Sequence, residues 1–194
     1  WKRNPDGTET GYVLSRSSMS IRAASTGIKF ATLFQGPDAL KRVTDFRIDD
    51  DGDYFMLLPK SDGVTIQWRP KSKNYAIEYS YSHYVDAAGF GVLNDWIGGV
   101  KKKYLYIACT NGQIVVIDLI GDKKALTRYI TPIPTNGKTY QYATSDGYAT
   151  NGTFDVFLSS YEDNSISRVS LNLSERNSSI IDIPITITGA PKGF

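Results

Sequence analysis

Cysteine occurs once, at Cys109, and histidine once, at His83, in a chain of 194 residues. One cysteine excludes an internal disulfide. The pair together are too few for a zinc site. Cys109 stands inside an apolar run, the ordinary place for a buried and inert thiol. Glutamate is scarce, occurring only at Glu9, Glu78, Glu162 and Glu175. These four fall in polar stretches and turns, and offer no convincing pair to flank a glycosidic bond. Excess charge of one sign is also missing: 22 basic residues against 20 acidic leave a net charge of +2. That balance sets up no field for nucleic acid or for an anionic membrane surface. No apolar run approaches the roughly 18 residues that span a bilayer, so membrane insertion is not expected. There is no glycine-rich phosphate loop and no G-x-S-x-G elbow. His83 has neither a nucleophile nor an orienting acid marked out beside it, and reads as an ordinary loop histidine.

What the chain has instead is strand-forming residues. It carries 13 Tyr, 8 Phe and 3 Trp, with many Thr, Ser, Ile and Val. The stretch Tyr104 to Leu119 reads Y-L-Y-I-A-C-T-N-G-Q-I-V-V-I-D-L, two apolar arms around Asn111-Gly112. Asn-Gly favours positive φ at both central turn positions, so a hairpin is expected. The arms alternate little, which predicts strands covered on both faces. Residues 1–10 are polar, contain Pro5-Asp6-Gly7, and read as a linker or outer loop. Short strands are expected between turn signals from 11 onward. The segment from His83 to Gly99 is the least strand-like, a connection with one short strand. Lys101, Lys102 and Lys103 read as a solvated run at the start of a strand. No amphipathic helix longer than a turn or two is visible.

Three segments can be overlaid, starting at Tyr54, Tyr104 and Phe154, about 50 residues apart, a spacing in the range of kelch-type repeats. Each opens on an aromatic strand, turns at Asp62-Gly63, Asn111-Gly112 or Asp163-Asn164, returns, and leaves on a more polar third strand. Residues 12–34 fit the same template in shorter form. This pattern resembles a β-propeller with irregular blades and D-x-D-G and N-G turns, although no Trp-Asp pair ends a blade and no kelch double glycine is present. The fold class expected is all-β: a β-propeller or an arc of one, in about four units (11–42, 43–92, 93–138 and 139–194). Stacked blades would cover both sides of each middle strand. The competing architecture is a β-sandwich. Starting at Trp1 with no initiator Met, the chain reads as a mature fragment or an excised domain.

The resemblance implies a non-enzymatic scaffold that presents loops to a protein partner or to its own assembly. The alternative is a carbohydrate-binding or glycoside-hydrolase-type propeller with a glycan ligand. An extracellular, surface or virion setting is favoured over a cytoplasmic one. Three N-x-Ser/Thr sequons, at Asn151, Asn172 and Asn177, are no more than this composition produces by chance. Four aromatics in or near the long connector, Tyr79, Tyr81, Tyr84 and Trp96, are the candidate binding residues, since exposed Tyr and Trp serve both sugar faces and protein hot spots. Asp49, Asp51 and Asp53 have the one-three-five spacing of a calcium loop with Gly52 inside, and are the candidate metal ligands. Position twelve from Asp49 is Lys60 where an EF-hand needs Glu, so calcium is the one cofactor kept open, as against a plain acidic turn.

Overall fold

The computed structural model describes residues 43–83, 85–120, 128–145 and 148–183 in full, and the backbone of four strands before them. The chain falls into two compact units, Trp1–Pro59 with Thr65–Ser80, and Lys60–Val64 with Tyr81–Phe194. The described secondary structure is strand throughout, apart from one 3-10 turn at Lys71–Lys73. No described helix is long and apolar enough to cross a membrane.

Sixteen strands form four sheets of four among the described residues. The first sheet takes β1 (Lys2–Arg3), β2 (Glu9–Leu14), β3 (Ser18–Ala23) and β4 (Lys29–Gln35). The second takes β5 (Asp45–Ile48), β6 (Tyr54–Lys60), β7 (Gly63–Arg69) and β8 (Tyr79–His83). The third takes β9 (Ala87–Ile97), β10 (Val100–Cys109), β11 (Ile114–Asp118) and β12 (Arg128–Ile130). The fourth takes β13 (Tyr142–Ser145), β14 (Thr153–Ser160), β15 (Ser165–Asn172) and β16 (Asn177–Ile183). Within each sheet the spatial order is the sequence order, so each is a meander built from local turns.

Two expectations need correction. The stretch 1–10, read as a linker or outer loop, contains β1 and the start of β2, which pair Lys2 with Thr10 and Arg3 with Glu9. The boundary placed between 92 and 93 cuts through β9, an 11-residue strand where one short strand was expected. Gly89 and Gly91 hide it, because glycine is poor strand material on its own. Both glycines are there for their neighbours. A Cβ on Gly91 would lie 2.5 Å from the Tyr106 ring, and one on Gly89 would lie 2.6 Å from the Ala143 carbonyl oxygen. The first lets a buried tyrosine lie across its ladder partner, and the second lets β9 approach β13.

The hairpin at Asn111-Gly112 is present, with β10 and β11 in register from Tyr104–Asp118 to Ala108–Ile114. Its turn differs from the expected one. Only Gly112 has positive φ. The Gly112 N–H donates to Cys109 O and the Cys109 N–H donates to Gln113 O, the pattern of a three-residue loop with glycine in the left-handed position. The Asn111 side-chain oxygen accepts from the Gln113 N–H at 3.0 Å, which fixes Asn111 as a local cap. Positive φ at both central positions occurs instead at Asn151-Gly152, between β13 and β14, and at Gly98-Gly99, between β9 and β10.

In the second unit the third and fourth sheets pack face to face. Tyr106, Ile114 and Val116 of one meet Phe154, Val156, Leu158 and Val169 of the other in one buried cluster. Tyr106 and Phe154 sit with ring centroids 6.2 Å apart at a tilt of 39°. The other side of β10 and β11 is also buried, through Leu105, Ile107, Val115 and Ile117. The central arms are therefore covered on both faces, as their lack of alternation demands. Cys109 is a free thiol with no exposure, and burial pushes its pKa up to about 12. Lys103, expected to be solvated, is 4% exposed, because alternation along β10 turns it inward.

Candidate functional site

The site is built around the last turn of β9. The Asp95 carboxylate is almost wholly buried, at 2% exposure. Its Oδ1 accepts from the Trp96 N–H at 2.7 Å and from the Asn151 N–H at 3.2 Å, and its Oδ2 accepts from the Gly152 N–H at 2.6 Å. A buried carboxylate is tolerated when donors surround it in this way. Two of these donors belong to the tight turn of the neighbouring sheet, so Asp95 clamps the end of β9 onto the turn that leads into β14. A parallel bridge between Asn94 and Tyr148 continues the same contact. Immediately beyond the clamp, Trp96 and Val100 flank the Gly98-Gly99 turn with 63% and 58% exposure. Tyr148, one strand away, is 71% exposed.

The four aromatics nominated from the sequence do not share one environment. Trp96 is exposed at this tip. Tyr79 is half-buried on β8. Tyr81, two residues on, is buried, with its ring stacked on His83 at 6.4 Å. It therefore does not meet solvent from an outer strand as expected, because alternation on β8 turns Tyr81 into the core while Ser80 and Ser82 face out. Tyr84 lies outside the described residues. The exposed partner that the sequence did not single out is Tyr148, in a connector with no strand signal of its own.

Asp49, Asp51 and Asp53 do come together, with one ligand oxygen from each within 4.8 Å of the others. Protein donors surround two of them. Asp49 Oδ1 accepts from the Asp53 N–H at 2.9 Å. Asp53 Oδ1 accepts from the Lys71 N–H at 2.9 Å, and its Oδ2 from the Trp68 indole N–H at 3.1 Å. The Asp49-to-Asp53 loop repeats the hydrogen bonds of the Cys109-to-Gln113 loop, with Gly52 in the left-handed position. A cation here would share Asp49 Oδ1 and both Asp53 oxygens with bonds that already hold this turn and the Trp68 ring, and calcium takes six to eight oxygen ligands.

No family model matches this chain, and no curated protein matches it either. Solved structures do. The chain resembles the WD40 domain of SCAP from fission yeast, with a TM-score of 0.56 and 11% identity over 87% of this chain and 37% of that one. The fold is a β-propeller. A second match, the complex structure of the fission yeast SREBP-SCAP binding domains, has a TM-score of 0.52 and 11% identity over 88% of this chain. This chain spans 37% and 44% of the lengths of those two solved chains. At that identity the likeness establishes the architecture, and each four-stranded sheet is a blade.

Proposed function

We propose that this propeller is a non-enzymatic interaction module whose contact point is the β9–β10 tip. The observation that carries the reading is Trp96, 63% exposed beside a turn fixed from behind by Asp95; Val100, also exposed, lies on the other face of the same tip. Trp is the residue most enriched among binding hot spots. A tip held rigid before binding loses little freedom on docking. Lys101, the ladder partner of Trp96, sets a charge beside it, as the polar rim of an interface requires. One of the structures that this fold resembles is itself a complex of binding domains, which supports the same use of the architecture here.

The test replaces Trp96 with a photo-crosslinking amino acid, with Ile77, another exposed apolar residue, replaced as control. Irradiation in the native cell should join one and the same protein to position 96 and not to position 77. Trp96→Ala should abolish recovery of that protein while leaving the melting temperature unchanged. Identical adducts from both positions would remove the reading.

A further inference from the structure

Asparagine followed by glycine occurs at Asn111-Gly112, Asn136-Gly137 and Asn151-Gly152. The sequence treats these pairs alike, and the fold does not. An Asn-Gly pair can react with itself, when the glycine amide nitrogen attacks the asparagine side-chain Cγ. Glycine permits the attack because no Cβ hinders it and the backbone turns freely. The attack therefore needs a glycine whose peptide plane is free to rotate.

Two of the pairs are held. The Gly112 N–H donates to Cys109 O at 2.9 Å. Gly112 is buried, and a Cβ there would lie 2.8 Å from the Tyr140 ring and 2.9 Å from Pro134. The Gly152 N–H donates to the buried Asp95 carboxylate at 2.6 Å, and Gly152 is buried too. Gly137, between β12 and β13, is exposed, with nothing within 4 Å of the place a Cβ would take. Its partner is also prepared for attack. Asn136 Oδ1 accepts from the Lys138 N–H at 3.3 Å. Negative charge builds on that oxygen when Cγ is attacked, and a donor aimed at it lowers the barrier. Asn111 has the matching contact from the Gln113 N–H, so the open glycine is what sets Asn136 apart. We infer that, of the three, Asn136 is a site of spontaneous covalent modification. The Gly137 nitrogen bonds to Asn136 Cγ, the Cγ–Nδ2 bond breaks, and the amide proton leaves with Nδ2 as ammonia. Solvent water then opens the resulting succinimide to aspartate or to isoaspartate.

The carboxamide that is lost heads a row of hydrogen bonds. Asn136 Nδ2 donates to the Tyr140 hydroxyl at 2.8 Å, the Tyr140 and Ser167 hydroxyls are 3.0 Å apart, and Ser167 donates to Asp182 Oδ1 at 2.5 Å. Ser167 has one proton, and Asp182 takes it, so Tyr140 donates to Ser167. Every bond thus points from Asn136 toward the Asp182 carboxylate. Lys138 Nζ, 2.8 Å from Asp182 Oδ2, meets that carboxylate as well, and with Ser167 it holds the Asp182 pKa below its ordinary value. The row pins the connection between β12 and β13 to β15 and β16. Tyr140 is wholly buried, in the cluster shared by the third and fourth blades. A carboxylate at 136 cannot donate. It leaves the Tyr140 hydroxyl without its donor and sets a second negative charge at the head of a row that ends on one. The modification loosens the join between these two blades.

Peptide mapping by mass spectrometry of the intact protein, aged in mildly alkaline buffer, tests the inference. The three pairs fall on separate tryptic peptides, 104–123, 129–138 and 139–168. Deamidation and isoaspartate should accumulate on 129–138 while the other two peptides stay unmodified. In urea all three should react at similar rates. Asn136→Gln, which keeps the carboxamide but would have to close a larger ring, should leave peptide 129–138 unmodified. Asn136→Asp should lower the melting temperature below that of the wild type. Comparable rates at all three pairs in folded protein, or faster reaction at Asn111 or Asn151, overturn the inference. So does a peptide 129–138 that stays intact over the period in which the unfolded chain reacts. An Asn136→Asp protein that melts with the wild type overturns the link to the blade join.

Discussion

The Gly152 amide donates to Asp95 Oδ2 at 2.6 Å, from the first turn of one blade to the first strand of the blade before it. The two residues are 57 positions apart in the chain, and the bond is buried. It is one of three amide contacts that Asp95 makes, and the other blade's turn supplies two of them.

Removing that carboxylate leaves buried amides without acceptors. Asp95→Ala should therefore cost about 2–4 kcal/mol of stability, more than a surface aspartate would. Asp95→Asn, which keeps one acceptor oxygen, should cost less. Urea denaturation of the three proteins side by side checks both the size and the order.

Gly91→Ala should destabilise by about 1–3 kcal/mol through overpacking, since the new methyl would collide with the fully enclosed Tyr106 ring. Tyr106→Leu in the same chain should recover part of that loss, because the collision is with the ring. A double-mutant cycle reads the coupling directly. Strict additivity of the two changes would contradict the close approach.

The Asp49 to Asp53 turn predicts a contrast between substitution and chelation. Asp53→Ala strips the acceptors from the Trp68 indole and the Lys71 amide, and should cost about 2–3 kcal/mol. EDTA should leave the melting temperature where it was, because the bonds that hold the turn come from the chain. A clear fall in EDTA that calcium restores would return these carboxylates to a metal site.

His83 should make stability depend on pH. Desolvation, and secondarily the Arg128 charge, hold its pKa below the usual imidazole value of 6.5. As pH falls past about 6.5 the unfolded chain takes up the proton first, so stability declines from there down to the lower folded value. His83→Phe should flatten the part of the melting curve series between pH 7.5 and 5.5 that this proton accounts for. An unchanged slope in the variant would assign the dependence to other groups.

Cys109 should not react with a thiol-specific disulfide reagent at pH 8 in the folded protein, since its thiol is enclosed and held protonated. Adding urea past the unfolding midpoint should release one equivalent of reactivity. Fast labelling of the native protein would mean that β10 opens far more readily than its packing implies.

The hairpin at Asn111-Gly112 was legible because its signals are local, two apolar arms and a turn dipeptide. The class of its turn was not, since Asn111 does not take positive φ and instead caps the Gln113 N–H with its side chain. β9 was unreadable for a different reason. Gly89 and Gly91 weaken a strand by propensity, and only Ala143 and Tyr106, distant in sequence, show what those glycines make room for. Of the candidate site, Trp96 was visible as an aromatic near a turn. Tyr148 and the clamp at Asp95 were not, because nothing around either residue announces a partner in the next blade.

Alternation of side chains and the placement of turn residues are properties of neighbouring positions, so the amino-acid order alone was enough for an all-β chain in four repeating units. A strand has two faces, though, and alternation says only that they differ. Whether a face meets another sheet, as Phe154 does, or lines an open groove, as Asp155 does, depends on register and on which blade arrives beside it. Those are contacts between residues far apart in the chain, and only the folded structure decided them.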